Sequence, residues 1–140
     1  MRAAAAADAD PIAALSGQLG YPATGEEVRQ RLIRLAGNAE HAAYVAEAPG
    51  GGVVGWLHVH LVHLIELNTQ AEISGLVVDE HWRSRSVGRV LMVSAEDWAR
   101  AQGCKTIRLR SNVIRERAHT FYERLGYELW KQQKVYRKAL

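Results

Sequence analysis

The apolar positions of this chain change period along its length, and each change predicts an element. Val28, Leu32 and Leu35 recur at the spacing of one helical face. Thr24-Gly25-Glu26-Glu27 ahead of them is a capping box, and Gly37-Asn38 beyond them is a stop. Residues 41–48 alternate instead, as a strand does. The run Val-Val-Gly-Trp-Leu-His-Val-His-Leu-Val-His-Leu from Val53 alternates again after Pro49-Gly50-Gly51-Gly52, so the two runs form a hairpin. At the front, a short strand precedes a helix that Asp8 or Asp10 caps, with Pro11 in its first turn and Gly20-Tyr21-Pro22 as its break. Residues 71–79 are mostly apolar, which predicts a central strand. From Val87 to Gln102, helical spacing places Val87, Val90, Leu91, Ser94, Ala95 and Trp98 inward, with Gly103 as the stop. Residues 105–111 predict a strand, 115–125 a helix ending at Gly126, and 127–140 a final pair of strands. The order is β-α-α-β-β-β-α-β-α-β-β. That is the α/β class: one mixed sheet with helices on both faces.

Composition adds little to this picture, and charge adds more. The length, 140 residues, suits a single domain, and 48% hydrophobic content supports a folded core. No apolar run is long enough to span a bilayer. The front segment carries Asp8 and Asp10 where a signal peptide needs apolar residues, so no targeting segment is expected. The single cysteine, Cys104, fits a reducing cytoplasm. Residues 1–80 hold four Arg against ten Asp or Glu, a balance of −6. Residues 81–140 hold fourteen Lys or Arg against five acids, a balance of +9. An anionic ligand is expected on the second half and a cationic one on the first. Nucleic acid is not expected, because the arginines cluster at one loop without interleaved aromatics.

That loop is Arg83-Ser84-Arg85-Ser86-Val87-Gly88-Arg89, placed between the central strand and the following helix. A helix N-terminus offers free N–H groups and the positive end of its dipole. Gly88 admits a ligand close to the backbone, and Arg83, Arg85 and Arg89 supply forked donors for phosphate oxygens. The demand is for a pyrophosphate. The sequence has neither GxGxxG nor GxxxxGK[ST], so the carrier is not one of the usual nucleotides.

Arg83 to Gly88 resembles the [QR]xxGx[GA] acyl-CoA loop of the GCN5-related N-acetyltransferases. The run from Ala71 to Leu91 looks like that family's fourth strand, loop and third helix, and Ser111 to Glu128 like its fifth strand end, fourth helix and following turn. The likeness covers nearly the whole chain and implies one N-acetyltransferase domain over residues 1–140, with acetyl-CoA as cosubstrate. Ser86 departs from the pattern: it adds a Cβ where the family usually has a glycine, together with a hydroxyl for a phosphate oxygen.

The resemblance implies roles residue by residue. The pantetheine arm and the thioester carbonyl would lie along Leu76, Val77 and Val78, where a bulge frees backbone N–H groups for an oxyanion. Val87 and Gly88 would join Arg83, Arg85, Ser86 and Arg89 around the pyrophosphate, and Asn112 would meet the CoA arm. Tyr122 matches the tyrosine near the CoA sulfur and would protonate the leaving thiolate. Glu72 is the candidate base: on an alternating strand it shares a face with Ser74, Leu76 and Val78. His58 and His60 share a strand face that suits a metal or a substrate pocket; no third ligand with metal spacing stands in the sequence, and no metal is assigned.

The implied reaction is acetyl transfer to a small primary amine by direct attack through a tetrahedral intermediate. The alternative is a non-catalytic acyl-CoA-binding or regulatory module of the same fold. Within the family, the histidine-rich strand followed by Glu72-Ile73-Ser74-Gly75-Leu76-Val77-Val78 looks most like the aminoalkylphosphonate acetyltransferases. Acids on the first half, such as Glu26, Glu27 and Glu40, would draw in the amine, and Lys134 to Lys138 offers an edge for a homodimer.

Overall fold

A computed structural model describes residues 1–83 and 85–140; Ser84, in the arginine loop, lies outside the described residues. The chain forms two compact units, Met1–Arg110 and Ser111–Leu140.

The first unit is a five-stranded sheet with three helices. Its strands are β1 (Arg2–Ala3), β2 (His41–Glu47), β3 (Val53–Val62), β4 (Gln70–Val78) and β5 (Ile107–Leu109), in spatial order β1-β2-β3-β4-β5. All pairings are antiparallel except β4 with β5, which is parallel. The helices are α1 (Ala9–Gln18), α2 (Gly25–Ala36) and α3 (Val87–Ala101), with short 3₁₀ turns at Ala6–Asp8 and Glu80–Trp82.

The predicted capping box of α2 is present: Thr24 Oγ1 accepts from the Glu27 N–H at 3.1 Å, and a Glu27 oxygen accepts from the Thr24 N–H at 3.2 Å. Asp8 stands at the cap of α1, but its carboxylate does not cap. It accepts two bonds of 2.8 Å from Arg2, and one from the Ala5 N–H. The Arg2 bonds, helped by the Ala5 bond and against the opposing effect of burial, hold its carboxyl below the usual range.

Both faces of the sheet carry helices. Val45 and Trp56 oppose each other across β2 and β3, and they pack with Ala9, Ile12, Ala13 and Val28 of α1 and α2. The alternate positions, Leu57 and Val59 of β3, are fully buried and face the other way. α3 lies on that second face, burying Leu91, Met92, Ala95 and Ala99. The buried stripe is turned slightly from the predicted one: Val90 is 46% exposed and Met92 fully buried. Gly55 permits the close approach of α3, since a Cβ there would stand 3.2 Å from Leu91 Cδ1 and 3.3 Å from Val87 Cγ1.

The second unit holds α4 (Glu116–Arg124), which ends at Gly126 as predicted. The final pair of strands is not found: residues 127–140 carry no regular element. Leu129, Val135 and Tyr136 are 75%, 81% and 86% exposed, so the alternation there has no sheet to pair with and no core to fill.

Candidate active site

β4 is built in two halves. From Gln70 to Ile73 it pairs β3 on one side, and Ala71 to Ile73 pair β5 on the other. The register then shifts: His58 opposes Gly75 while Val59 opposes Ile73, so Ser74 is an extra residue. The parallel pairing also stops at Ile73 and Leu109. Beyond Ser74, β4 keeps β3 as its partner but loses β5. A bulge in this strand was expected, and it falls at Ser74, two residues before Leu76.

The bulge overturns one expectation. A regular strand would put Glu72 on the face of Leu76 and Val78. The extra residue reverses the alternation, because one added residue moves every later side chain to the other face. Leu76 opposes Leu57, on the α3 face, whereas Glu72 opposes His60, on the α1–α2 face. Ser74 does stay with Glu72: its Oγ lies 2.5 Å from His60 Nδ1.

Glu72 is largely buried and ion-paired. Its Oε1 accepts from Arg108 Nε at 3.1 Å and lies 3.5 Å from Arg110 Nε; Oε2 lies 3.7 Å from His60 Nε2. Beside this group stand two more imidazoles. His41 Nδ1 is 2.9 Å from His58 Nε2, and the rings of His41, His58 and His60 stack with centroids 5.2 to 5.7 Å apart. Burial, then the His41 and His60 rings, pushes the His58 pKa down to about 4; burial lowers His60 as well. His41 was missed in the sequence. The signal was there: a hairpin folded about the middle of Pro49–Gly52 opposes His41 to His60, as the register does.

His58 also forms part of the floor of a cavity of about 150 Å³ between α1, α2 and the sheet. Ile12, Ser16, Val28, Leu32 and Trp56 line it. The Trp56 indole covers Gly75, where a Cβ would stand 2.7 Å from the ring, and its Nε1–H is buried with no hydrogen-bond partner among the described residues. The acids expected to attract an amine are engaged locally. Glu26 pairs with Arg29 at 3.0 Å, Glu27 with Arg31 at 3.4 Å and Glu40 with His63 at 3.0 Å.

On the opposite side of β4 is the arginine loop. Ser86, at the cap of α3, has φ 64°, the left-handed region, and is the one non-glycine residue there among the described residues. Its side chain makes no cap bond, and the first turn of α3 holds no acid. Arg83, Arg85 and Arg89 are exposed, and the Arg85 guanidinium lies 5.0 Å from the centre of the Trp82 ring. Val87 and Gly88, the first two residues of α3, are half-buried. A left-handed cap without a side-chain bond and three exposed guanidiniums suit this helix start to an anion. The left-handed Ser86 also explains why glycine is usual at this position.

In the second unit, Asn112 Oδ1 accepts from the Ile114 N–H at 3.2 Å, and its carbonyl lies 2.9 Å from His119 Nε2. His119 therefore ties the loop to α4, as a structural hydrogen-bonder. Tyr122 packs edge-on against Phe121 and Tyr127. Burial raises its pKa, with Arg115 acting in the opposite direction, so the phenol is protonated at neutral pH.

Residues 12–127 match the acetyltransferase (GNAT) family, and the chain belongs to it. It is an acetyltransferase, and acetyl-CoA is its acetyl donor. It is 30% identical over 132 residues to aminoglycoside N(6')-acetyltransferase type 1 of Stenotrophomonas maltophilia, covering 91% of this chain and 85% of that protein. It is 39% identical over 79 residues to aminoalkylphosphonate N-acetyltransferase of Salmonella typhimurium, covering 56% of this chain and 51% of that one. The fold matches aminoglycoside N-acetyltransferase AAC(6')-Iy in complex with CoA, with a TM-score of 0.86 at 17% identity, covering 99% and 93% of the two chains. Among the described residues, no helix is long and apolar enough to cross a membrane.

Proposed function

We propose that residues 1–140 act as one N-acetyltransferase domain that moves the acetyl group of acetyl-CoA to a small primary amine. The observation that carries this reading is the start of α3, where N–H groups, a left-handed cap and exposed arginines are left for an anion. The names of the two relatives support an amine acceptor: both are N-acetyltransferases.

In this reading Arg83, Arg85 and Arg89 hold phosphate oxygens, and Ser86, Val87 and Gly88 present the backbone to the pyrophosphate. Leu76, Val77 and Val78 line the arm of the cosubstrate, and N–H groups on the open edge of β4 steady the oxyanion of a tetrahedral intermediate. Asn112 binds the arm. Glu72 takes the amine proton through water, from the α1–α2 face. Tyr122 donates a proton to the departing thiolate, a role that needs the protonated phenol its burial favours. A homodimer belongs to the same reading, supported by the exposed Val135 and Tyr136, and so does the cytoplasm, supported by the one free cysteine.

Tyr122→Phe tests the chemistry. Steady-state assays with a panel of small amines, aminoglycosides and aminoalkylphosphonates among them, should show kcat lowered roughly 100-fold while acetyl-CoA binding holds. A Phe variant as active as wild type removes Tyr122 as the acid.

A further inference from the structure

We propose that His41, His58 and His60 form a binding site for a borderline divalent cation of the zinc class, on the α1–α2 face of the sheet. Each imidazole offers a ligating nitrogen, and these nitrogens lie within 4.8 Å of one another. Two of them, His41 Nδ1 and His58 Nε2, are 2.9 Å apart. Tetrahedral zinc with Zn–N bonds near 2.05 Å holds its ligand nitrogens about 3.3 Å apart, so this pair is already close to the required spacing. The three rings lie within 11° to 30° of parallel, and His41 Nδ1 and His58 Nε2 face each other as a hydrogen-bonded pair, so ligation requires the rings to turn until their lone pairs converge.

Neighbouring groups orient the ligands. His60 Nδ1 meets the Ser74 hydroxyl at 2.5 Å, which orients the ring and leaves Nε2 to ligate; partners of this kind set the tautomer of metal-bound histidines. Glu72 Oε2, 3.7 Å from His60 Nε2, supplies a carboxylate beside the three imidazoles. Arg108 and Arg110 hold the other oxygen and so fix the carboxylate in place. Imidazoles with one carboxylate suit zinc, nickel or cobalt rather than magnesium or calcium. The backbone supports the arrangement: the β2–β3 register opposes His41 to His60, and the Ser74 bulge turns Glu72 to the same face.

Metal-free full-length protein is titrated with zinc chloride by calorimetry and with cobalt(II) by visible absorption. The expected result is one equivalent bound, with a tetrahedral cobalt spectrum. His58→Ala and His41→Gln should each weaken zinc binding by at least about tenfold, and His63→Ala and His119→Ala should not change it. Far-UV circular dichroism and acetyl-CoA titration of each variant separate a lost ligand from a lost fold. The milder His41→Gln serves if His58→Ala fails to fold. The proposal is overturned if wild type binds no zinc, or if His41→Gln binds as tightly as wild type. In either case the cluster is only a hydrogen-bonded stack.

Discussion

The starts of α2 and α3 make the useful comparison. At α2 the chain satisfies itself: Thr24 and Glu27 exchange backbone bonds, and Glu26 and Glu27 place negative charge on the first turn. At α3 nothing of the kind occurs. The cap residue is left-handed, its side chain makes no cap bond, the first turn has no acid, and three arginines stand nearby. Both termini carry the same unsatisfied N–H groups and the same dipole. One is closed for stability, and the other is open at a cost in stability. The open one adjoins the half of β4 that has lost β5.

The comparison breaks most directly at Gly88. Gly88→Trp should abolish measurable acetyl-CoA binding in a calorimetric titration while the helical circular dichroism is kept. Retained affinity would move the cofactor away from this helix start. The start of α1 offers a third case, because Asp8 binds Arg2 instead of capping. Asp8 has a depressed folded pKa, so its stabilisation is present above the unfolded value and is lost as pH falls through the folded one. Asp8→Asn should therefore lower Tm at pH 7, with the gap to wild type closing on acidification. A gap that persists well below the ordinary carboxylate range would assign the loss to packing.

Smaller effects sharpen the contrast. Thr24→Ala should cost about 1 kcal/mol in urea unfolding and leave acetyl-CoA affinity alone, as befits a terminus used only for stability. Ser86→Gly should do the reverse. It relieves left-handed strain of about 1 kcal/mol, offset in part by the flexibility of an unfolded glycine, so the net gain is a few tenths of a kcal/mol. Its larger readout is acetyl-CoA affinity, which should rise. Equal affinity in both proteins would show that the serine Cβ does not meet the ligand.

What was legible in the sequence was whatever depends on near neighbours. Spacing along the chain sets the period of each helix and strand, the capping box needs only residues three apart, and Gly37, Gly103 and Gly126 stop their helices locally. The arginine loop was legible for the same reason, since its charges, its small residues and the helix they precede are contiguous. The last segment shows the limit. Alternation in 127–140 expresses a strand pattern, but a strand exists only where another edge accepts its hydrogen bonds, and none does among the described residues.

Only the tertiary structure decided the chemistry of the opposite face. One unpaired residue, Ser74, reverses the side-chain alternation and takes Glu72 from the face of Leu76 to that of His60. Pairing across a hairpin brings His41 to His58 from 17 residues away. Parallel pairing brings Arg108 to Glu72 from 36 residues away. Bulges and cross-strand partners come from which edges meet, and that follows from burying the whole sheet between its helices rather than from any local run of residues.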